Sequence, residues 1–243
     1  MTRVGPSAMK RHARLVTYDA RAMGPATLLM CAATCGVFVA AAAVLFYGPP
    51  LHQDVLAVGL EVALPLAFVL PLLRSLTGDP ATELRQALPS GYRSGVVRRF
   101  GLGFACLTVP ATLCLLVLTV LGRWGLAGGV AAGTMIWLAP CMLFSSLGLL
   151  LLVTLRSYST TAGIIVSIVL LGIALPGRLL RSHTILALLY PFATNLSLPA
   201  GGPAAPGWLA NRVVVIGAAA LLFAAAWLVA GRIDLPLLEG EEI

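Results

Sequence analysis

Long apolar runs, separated by short polar segments, fill most of this chain. A helix needs about 20 apolar residues to cross the hydrocarbon core of a bilayer. The fourth run is longer than that length requires, whereas the fifth is short and ends at a Pro-Gly pair. The pattern predicts six transmembrane helices, at Pro25–Tyr47, Asp54–Leu73, Phe100–Leu121, Gly128–Leu155, Thr160–Leu175 and Asn211–Ala230.

Composition supports a membrane protein and argues against a nucleic-acid-binding one. Hydrophobic residues make up 59% of the 243 residues and charged residues 10%, with a mean hydropathy of +0.97. A water-soluble domain carries roughly a quarter charged residues. The net charge of +7 comes from basic residues beside the apolar runs, as membrane topology requires, and they form no single polar face. We therefore expect an all-α polytopic membrane protein whose single domain covers residues 1–243.

The distribution of arginine and lysine predicts the orientation of the chain. With the N-terminus inside, the inner segments hold 12 of the 16 basic residues and the outer segments hold four. Basic residues are enriched in cytoplasmic loops. Both termini are therefore predicted to be cytoplasmic, and the arginine-rich usage favours a bacterial cytoplasmic membrane.

Two segments outside the spans have patterns of their own. Residues 1–23 place basic residues and apolar residues on different helical faces, which predicts an interfacial helix; a partly disordered basic tail is the alternative. In the outer segment 176–210, Thr184–Tyr190 is strongly apolar but only seven residues long. A run that short cannot span, so it predicts a re-entrant or interfacial helix between the last two spans.

The segment 74–99 is the most informative stretch between spans. Asp79-Pro80 is a favourable start for a helix, and Ala81, Leu84 and Leu88 follow on one apolar stripe. This pattern predicts a short amphipathic helix on the cytoplasmic side, suited to binding a soluble partner. A loop helix lying on the lipid surface is the alternative.

Glu61 is an ionisable residue inside a predicted span, about two helical turns from its outer end. Such residues are costly in lipid and mostly face a bundle interior or a water-filled cavity. The alternative is a carboxylate hydrated near the outer surface. No basic residue lies in the core of any predicted span, so we expect no salt bridge within the chain; the nearest candidate cations are the outer Arg123, Arg178 and Arg181.

Motifs for catalysis and for metal binding are absent from the sequence. It contains neither GxxxxGK[ST] nor HExxH, so we expect no ATP hydrolysis and no catalytic constellation. All five cysteines fall within apolar runs, which argues against a disulfide framework and a metal cluster.

Two short stretches resemble the permease subunit of the ABC type-2 exporter family. They are Gly78-Asp-Pro-Ala-Thr-Glu83-Leu-Arg-Gln-Ala-Leu88-Pro89 and Leu189-Tyr190-Pro191-Phe192. The predicted topology is also similar to that of the family: an N-terminal interfacial helix, six spans, a short helix in the first cytoplasmic loop and a re-entrant hairpin in the last outer loop. In that family the first stretch is the coupling helix that docks on the ATPase, which implies that the residues in contact are Glu83, Leu84, Arg85 and Leu88.

The resemblance implies a dimer of permeases that transports by alternating access. Separate ATPase subunits would bind ATP and magnesium, and this chain would hold no cofactor. Glu61 would then line the pathway or the dimer interface. Substrate classes of the family include peptides, antibiotics, lipids and haem, and the haem-exporter permeases of cytochrome c maturation share the topology. A non-transporting membrane scaffold or immunity protein and a membrane enzyme using Glu61 stay open as alternatives.

Overall fold

The chain is helical in nearly every part that the structure describes. The structure, a computed structural model, describes residues 17–19, 21, 29–30, 32–37, 40, 58–77, 91–120, 129–174, 184–194 and 207–232. Within these ranges only a few residues at turns are not helical, and there is no β-strand. The all-α prediction is confirmed for them.

From residue 59 onward, one π-helical turn and six α-helices have defined bounds. They are the π turn Gly59–Ala63, α1 Leu64–Thr77, α2 Gly91–Val120, α3 Gly129–Leu155, α4 Tyr158–Ala174, α5 Thr184–Leu189 and α6 Trp208–Arg232.

Four helical stretches are long and apolar enough to cross a membrane, judged by length and composition. They correspond to the predicted second, third, fourth and sixth spans, and are Gly59–Thr77, Gly95–Val117, Ala132–Leu155 and Trp208–Ala230. The helix α4 covers the predicted fifth span and is short, as expected, at 17 residues. Most of the predicted first span lies outside the described residues, so the total of six spans stays a prediction.

The π turn at the start of the second span has a local cause. The backbone N–H of Leu64 donates to the carbonyl of Gly59, five residues back. The next residue is Pro65, which has no N–H and so cannot close the α-helical bond to residue 61. The wider turn leaves Gly59, Leu60 and Glu61 all buried, so the carboxylate points into the protein.

The central helix is α3, which contacts α1, α2, α4 and α6. Its close approach to α1 and α4 depends on Gly148, where an added Cβ would lie 2.7 Å from Leu73 Cδ1 and 2.9 Å from Ile165 Cδ1. In contrast, the outward faces of α2, α4 and α6 expose large apolar side chains, as lipid-facing helices do; examples are Val109, Leu171 and Leu221.

A tight turn reverses the chain between α3 and α4. Arg156 adopts a left-handed conformation with φ of 56° directly after α3 ends at Leu155. The hydroxyl of Ser157 then accepts the backbone N–H of Thr160 at 3.3 Å and caps α4. The two helices therefore pack as an antiparallel hairpin.

The predicted insert 74–99 is shorter than the sequence pattern indicated, because helices enter it from both ends. Arg74 lies in the last turn of α1, and α2 begins at Gly91. Between them, residues 78–90 lie outside the described residues, and so do all four predicted coupling residues, Glu83, Leu84, Arg85 and Leu88. The coupling helix therefore stays a prediction.

Two other predicted elements are described only in part. Within 1–23, residues 17–19 and 21 are helical and the remainder lies outside the described residues. In the predicted outer segment 176–210, the short apolar run does form a helix, α5. The interfacial helix and the re-entrant hairpin both stay predictions.

Candidate functional site

A buried ion pair joins the π turn to the last helix. Glu61 Oε1 accepts hydrogen bonds from Arg212 Nη2 and from the backbone N–H of Thr194, the latter at 2.9 Å. The exposed fraction of both charged side chains is 0%. Glu61 therefore faces the interior of the bundle, as expected, and is not a hydrated helix end. Its predicted place in a pathway or at a dimer interface stays a prediction.

The expectation that no salt bridge forms within the chain is wrong. The predicted sixth span, Asn211–Ala230, placed Arg212 at its outer end, where it was counted among the four outer basic residues and not in the core of the span. The helix α6 begins at Trp208 instead, which places Arg212 a full turn inside it. From there the guanidinium reaches Glu61. Arg212, and not one of the outer arginines suggested as candidates, therefore supplies the counter-charge.

The hydroxyl of Thr194 links the two members of the pair to a tryptophan. Its Oγ1 accepts from Arg212 Nη2 at 2.6 Å and from Trp208 Nε1 at 3.0 Å. A hydroxyl can accept two hydrogen bonds and donate one. The side chain of Thr194 also makes a hydrogen bond with Glu61. In that bond the hydroxyl is the donor and the carboxylate is the acceptor.

Arg212 makes further contacts that position its guanidinium. Its Nη1 donates to the carbonyl of Pro191 at 2.8 Å, and the group lies over the ring of Trp208, 5.2 Å from the centroid. A buried ion pair overcomes its desolvation cost only when additional hydrogen bonds satisfy the remaining polar atoms. Here most are satisfied, but Arg212 Nε has no hydrogen-bond partner among the described residues.

Asn211 caps the end of α5. Its Nδ2 donates to the carbonyls of Ala187, Leu188 and Tyr190, at 2.9, 2.8 and 3.0 Å. The last carbonyls of a helix have no partner within that helix. Asn211 supplies the missing donor from α6 and so fixes the short helix against the last span.

The segment after α5, Tyr190–Thr194, is packed as well as hydrogen-bonded; we call it the buried turn. The hydroxyl of Tyr190 donates to the carbonyl of Gly172 at 3.0 Å, and burial, reinforced by the charge of Glu61, raises the pKa of Tyr190 to about 12. The ring of Phe192 stacks on Phe144 with centroids 5.9 Å apart. It also lies so close to Gly172 that a Cβ there would be 2.7 Å from Phe192 Cε2.

A second charged cluster lies where α1 ends and α2 begins. Asp19 is fully buried, and its two oxygens accept from Arg98 Nε at 2.8 Å and from Arg99 Nε at 3.3 Å. Arg99 also donates through Nη1 to the carbonyl of Ser75. This cluster therefore ties the N-terminal segment to both helices that flank residues 78–90.

The sequence contains two signals for the cluster around Glu61 and Arg212. Trp208, Asn211 and Arg212 are spaced i, i+3 and i+4, so they share one helical face if the helix begins early. Glu61 stands four residues before Pro65, the spacing at which a helix loses a hydrogen bond. The contact with Thr194 carries no local signal, because 133 positions separate it from Glu61.

The described residues form a helical protein with four apolar helical stretches of membrane-spanning length and two charge clusters, around Glu61 and around Asp19. Within the described ranges, no three His, Cys, Asp or Glu side chains come together as metal ligands. Comparison with protein-family models, with curated proteins and with solved structures finds no match for this chain. Its function therefore has to be argued from its own residues.

Proposed function

We propose that this chain is the transmembrane permease subunit of an ATP-driven ABC exporter of the type-2 class. It would act as a dimer with separate ATPase subunits. The observation that carries the proposal is the amphipathic pattern of residues 80–88, which stands between two apolar helices on the side favoured by the basic residues. The four helical stretches long and apolar enough to span support it.

The flanking helices give such a loop a direct route into the bundle. Residues 78–90 continue at once into α1 and α2, and Arg99 of α2 bonds to the carbonyl of Ser75 near the end of α1. A partner that moves the loop would therefore move the two helices together. The 19-residue stretch Gly59–Thr77 is about 28 Å long at 1.5 Å per residue, close to the bilayer core.

In this proposal the partner ATPases bind ATP and magnesium, and the chain converts their closure into alternating access. The loop lies at one end of α1, and the ion pair of Glu61 with Arg212 lies at the other. A displacement of α1 at its loop end would therefore also move the π turn that carries Glu61. The engagement of Glu61 by Arg212 and the buried turn argues against its use as the acid of a membrane enzyme.

Co-purification tests the proposal. The tagged full chain, extracted from its native membrane in mild detergent, should retain an ATPase subunit, and the complex should hydrolyse ATP. Leu84→Asp and Leu88→Asp should abolish retention, because an unpaired carboxylate in an apolar groove costs several kcal/mol. Gln86→Asp, on another face of the same predicted helix, is the matched control and should retain the ATPase.

Two results would contradict the proposal. One is a wild-type preparation that contains no nucleotide-hydrolysing subunit. The other is full ATPase retention by both leucine variants, which would mean that the apolar stripe does not dock.

A further inference from the structure

Two buried cysteines meet where the N-terminal segment contacts α2. Cys35 is 5% exposed and Cys114 is 2% exposed. The thiol of Cys114 donates to the carbonyl of Cys35, with 3.9 Å between sulfur and oxygen, and the two side chains are also joined by a hydrogen bond. Both cysteines are free thiols. The two thiols are therefore in contact although 79 positions separate them in the sequence.

A second contact shows how the N-terminal segment lies beside α2. Asp19 binds Arg98 and Arg99 near the start of α2, whereas Cys35 contacts Cys114 towards its end. From Asp19 to Cys35 the segment advances 16 residues, and from Arg99 to Cys114 α2 advances 15. The described residues of the two elements therefore run side by side in the same direction, with an ionic contact at one end and a thiol contact at the other.

The surroundings of the thiols decide which reagents can reach them. The pair belongs to the buried apolar core, and apolar surroundings slow reactions that need a thiolate. Both elements also have a face directed to lipid, since Val37 is 64% exposed and Leu113 is 56% exposed. Cys114 lies about 9 Å before the end of α2 at Val120, in the half that is predicted to be outer. A neutral oxidant dissolved in lipid is therefore better placed than a charged oxidant in water.

From this geometry we propose that Cys35 and Cys114 are a reversible redox pair, which a lipid-soluble quinone oxidises to a disulfide. Two S–H bonds break and one S–S bond forms, while two electrons and two protons pass to the quinone and give the quinol. The bacterial periplasm is kept oxidising through quinones. The structure describes the reduced form of the pair. The inference is independent of the proposed permease function.

The disulfide would act as a lock between the N-terminal segment and α2. In the reduced form the two cysteines are held only by weak hydrogen bonds, because a thiol is a weak donor and a weak acceptor. Oxidation would turn this separable contact into a covalent one, at the opposite end of the two elements from the Asp19 cluster. A disulfide stabilises a fold mainly by restricting the unfolded chain. The redox state would therefore control whether the two elements can separate.

Thiol counting in native membranes tests the redox pair. Membranes that contain the full chain are reduced, freed of the reductant and treated with tetramethylbenzoquinone, a lipid-soluble quinone with no free ring position that could add to a thiol. The chain is then unfolded in detergent, its free thiols are blocked with a maleimide, and the blocked residues are counted and mapped by mass spectrometry. The count should fall from five to three, with Cys35 joined to Cys114, and a reductant should restore five.

Alanine variants assign the loss of thiols to these two residues. Cys35→Ala and Cys114→Ala each leave four thiols, and all four should stay free after treatment. Cys106→Ala, on the same helix as Cys114, is the matched control and should fall from four to two. All three variants should elute as single species at the parent level, which separates loss of the pair from misfolding.

Thermal unfolding tests the lock. Oxidation should raise the melting temperature of the parent and of Cys106→Ala by roughly 4–16 °C, and a reductant should reverse the rise. The melting temperature of Cys35→Ala should not change. Five free thiols after treatment of the parent, or a disulfide between other cysteines, would overturn the redox pair. A disulfide between Cys35 and Cys114 with an unchanged melting temperature would overturn the lock.

Discussion

The strongest energetic prediction is a large coupling between Glu61 and Arg212. Both side chains are 0% exposed, so each single substitution leaves a buried charge without its partner. Breaking a buried pair in this way costs about 3–5 kcal/mol. Glu61→Leu should cost more than Arg212→Met, because a lone carboxylate can take up a proton whereas a guanidinium keeps its charge.

The double variant should recover most of that loss. With both charges replaced by apolar side chains of similar volume, no unpaired charge remains, but the N–H of Thr194 and the carbonyl of Pro191 lose their side-chain partners. About 1–3 kcal/mol of destabilisation is therefore expected. In a chain of this size about 1 kcal/mol shifts Tm by roughly 2–4 °C. The single variants should therefore melt about 6–20 °C below the parent.

Thermal unfolding of the detergent-solubilised chain measures this cycle, with Val213→Ala as the control for substitution on α6. The coupling is the difference between the double variant and the sum of the single ones. Independent sites add to within about 0.5 kcal/mol. Additive losses would refute the buried pair and with it the polar network around Thr194.

Two further predictions concern the charge cluster around Asp19 and the topology. Asp19→Asn should lower the free energy of unfolding by about 1.5–3 kcal/mol, because the charged hydrogen bonds to Arg98 and Arg99 are weakened. An unchanged melting temperature would mean that these contacts do not stabilise the fold. Single cysteines at Gln53 and Gly202 should react with impermeant thiol reagents in intact cells, whereas one at Gln86 should react only after permeabilisation. Labelling of Gln86 in intact cells would reverse the predicted orientation.

Hydropathy predicted the helices well because it depends on local sequence. The fourth predicted span, Gly128–Leu155, differs by one residue from α3, Gly129–Leu155. A long apolar run has no other way to satisfy its backbone in lipid than to form a helix. The same reasoning fails where an apolar run ends in polar residues, as it does at Asn211 and Arg212. Hydropathy assigns a charged residue at such an end to the adjoining loop, although here tertiary contacts bury Arg212.

The candidate site could be predicted only in part for the same reason. Glu61 stood out by its position in a span, and its inward orientation was correctly expected. Its partner was missed because the pair is made between residues 151 positions apart. The cluster around Asp19 was missed as well, since a lone acidic residue among basic ones looks like part of a solvated face.

The sequence separation within the ion pair has a consequence for biosynthesis. Glu61 is synthesised 151 residues before Arg212, an interval of about 8–30 s at translation rates of roughly 5–20 residues per second. During that time the second span must enter the membrane with its carboxylate lacking its counter-ion, although such a group is costly in lipid. We therefore expect a nascent chain stalled before the last helix to hold its second span only loosely in the bilayer, and we expect the arrival of Arg212 to complete insertion.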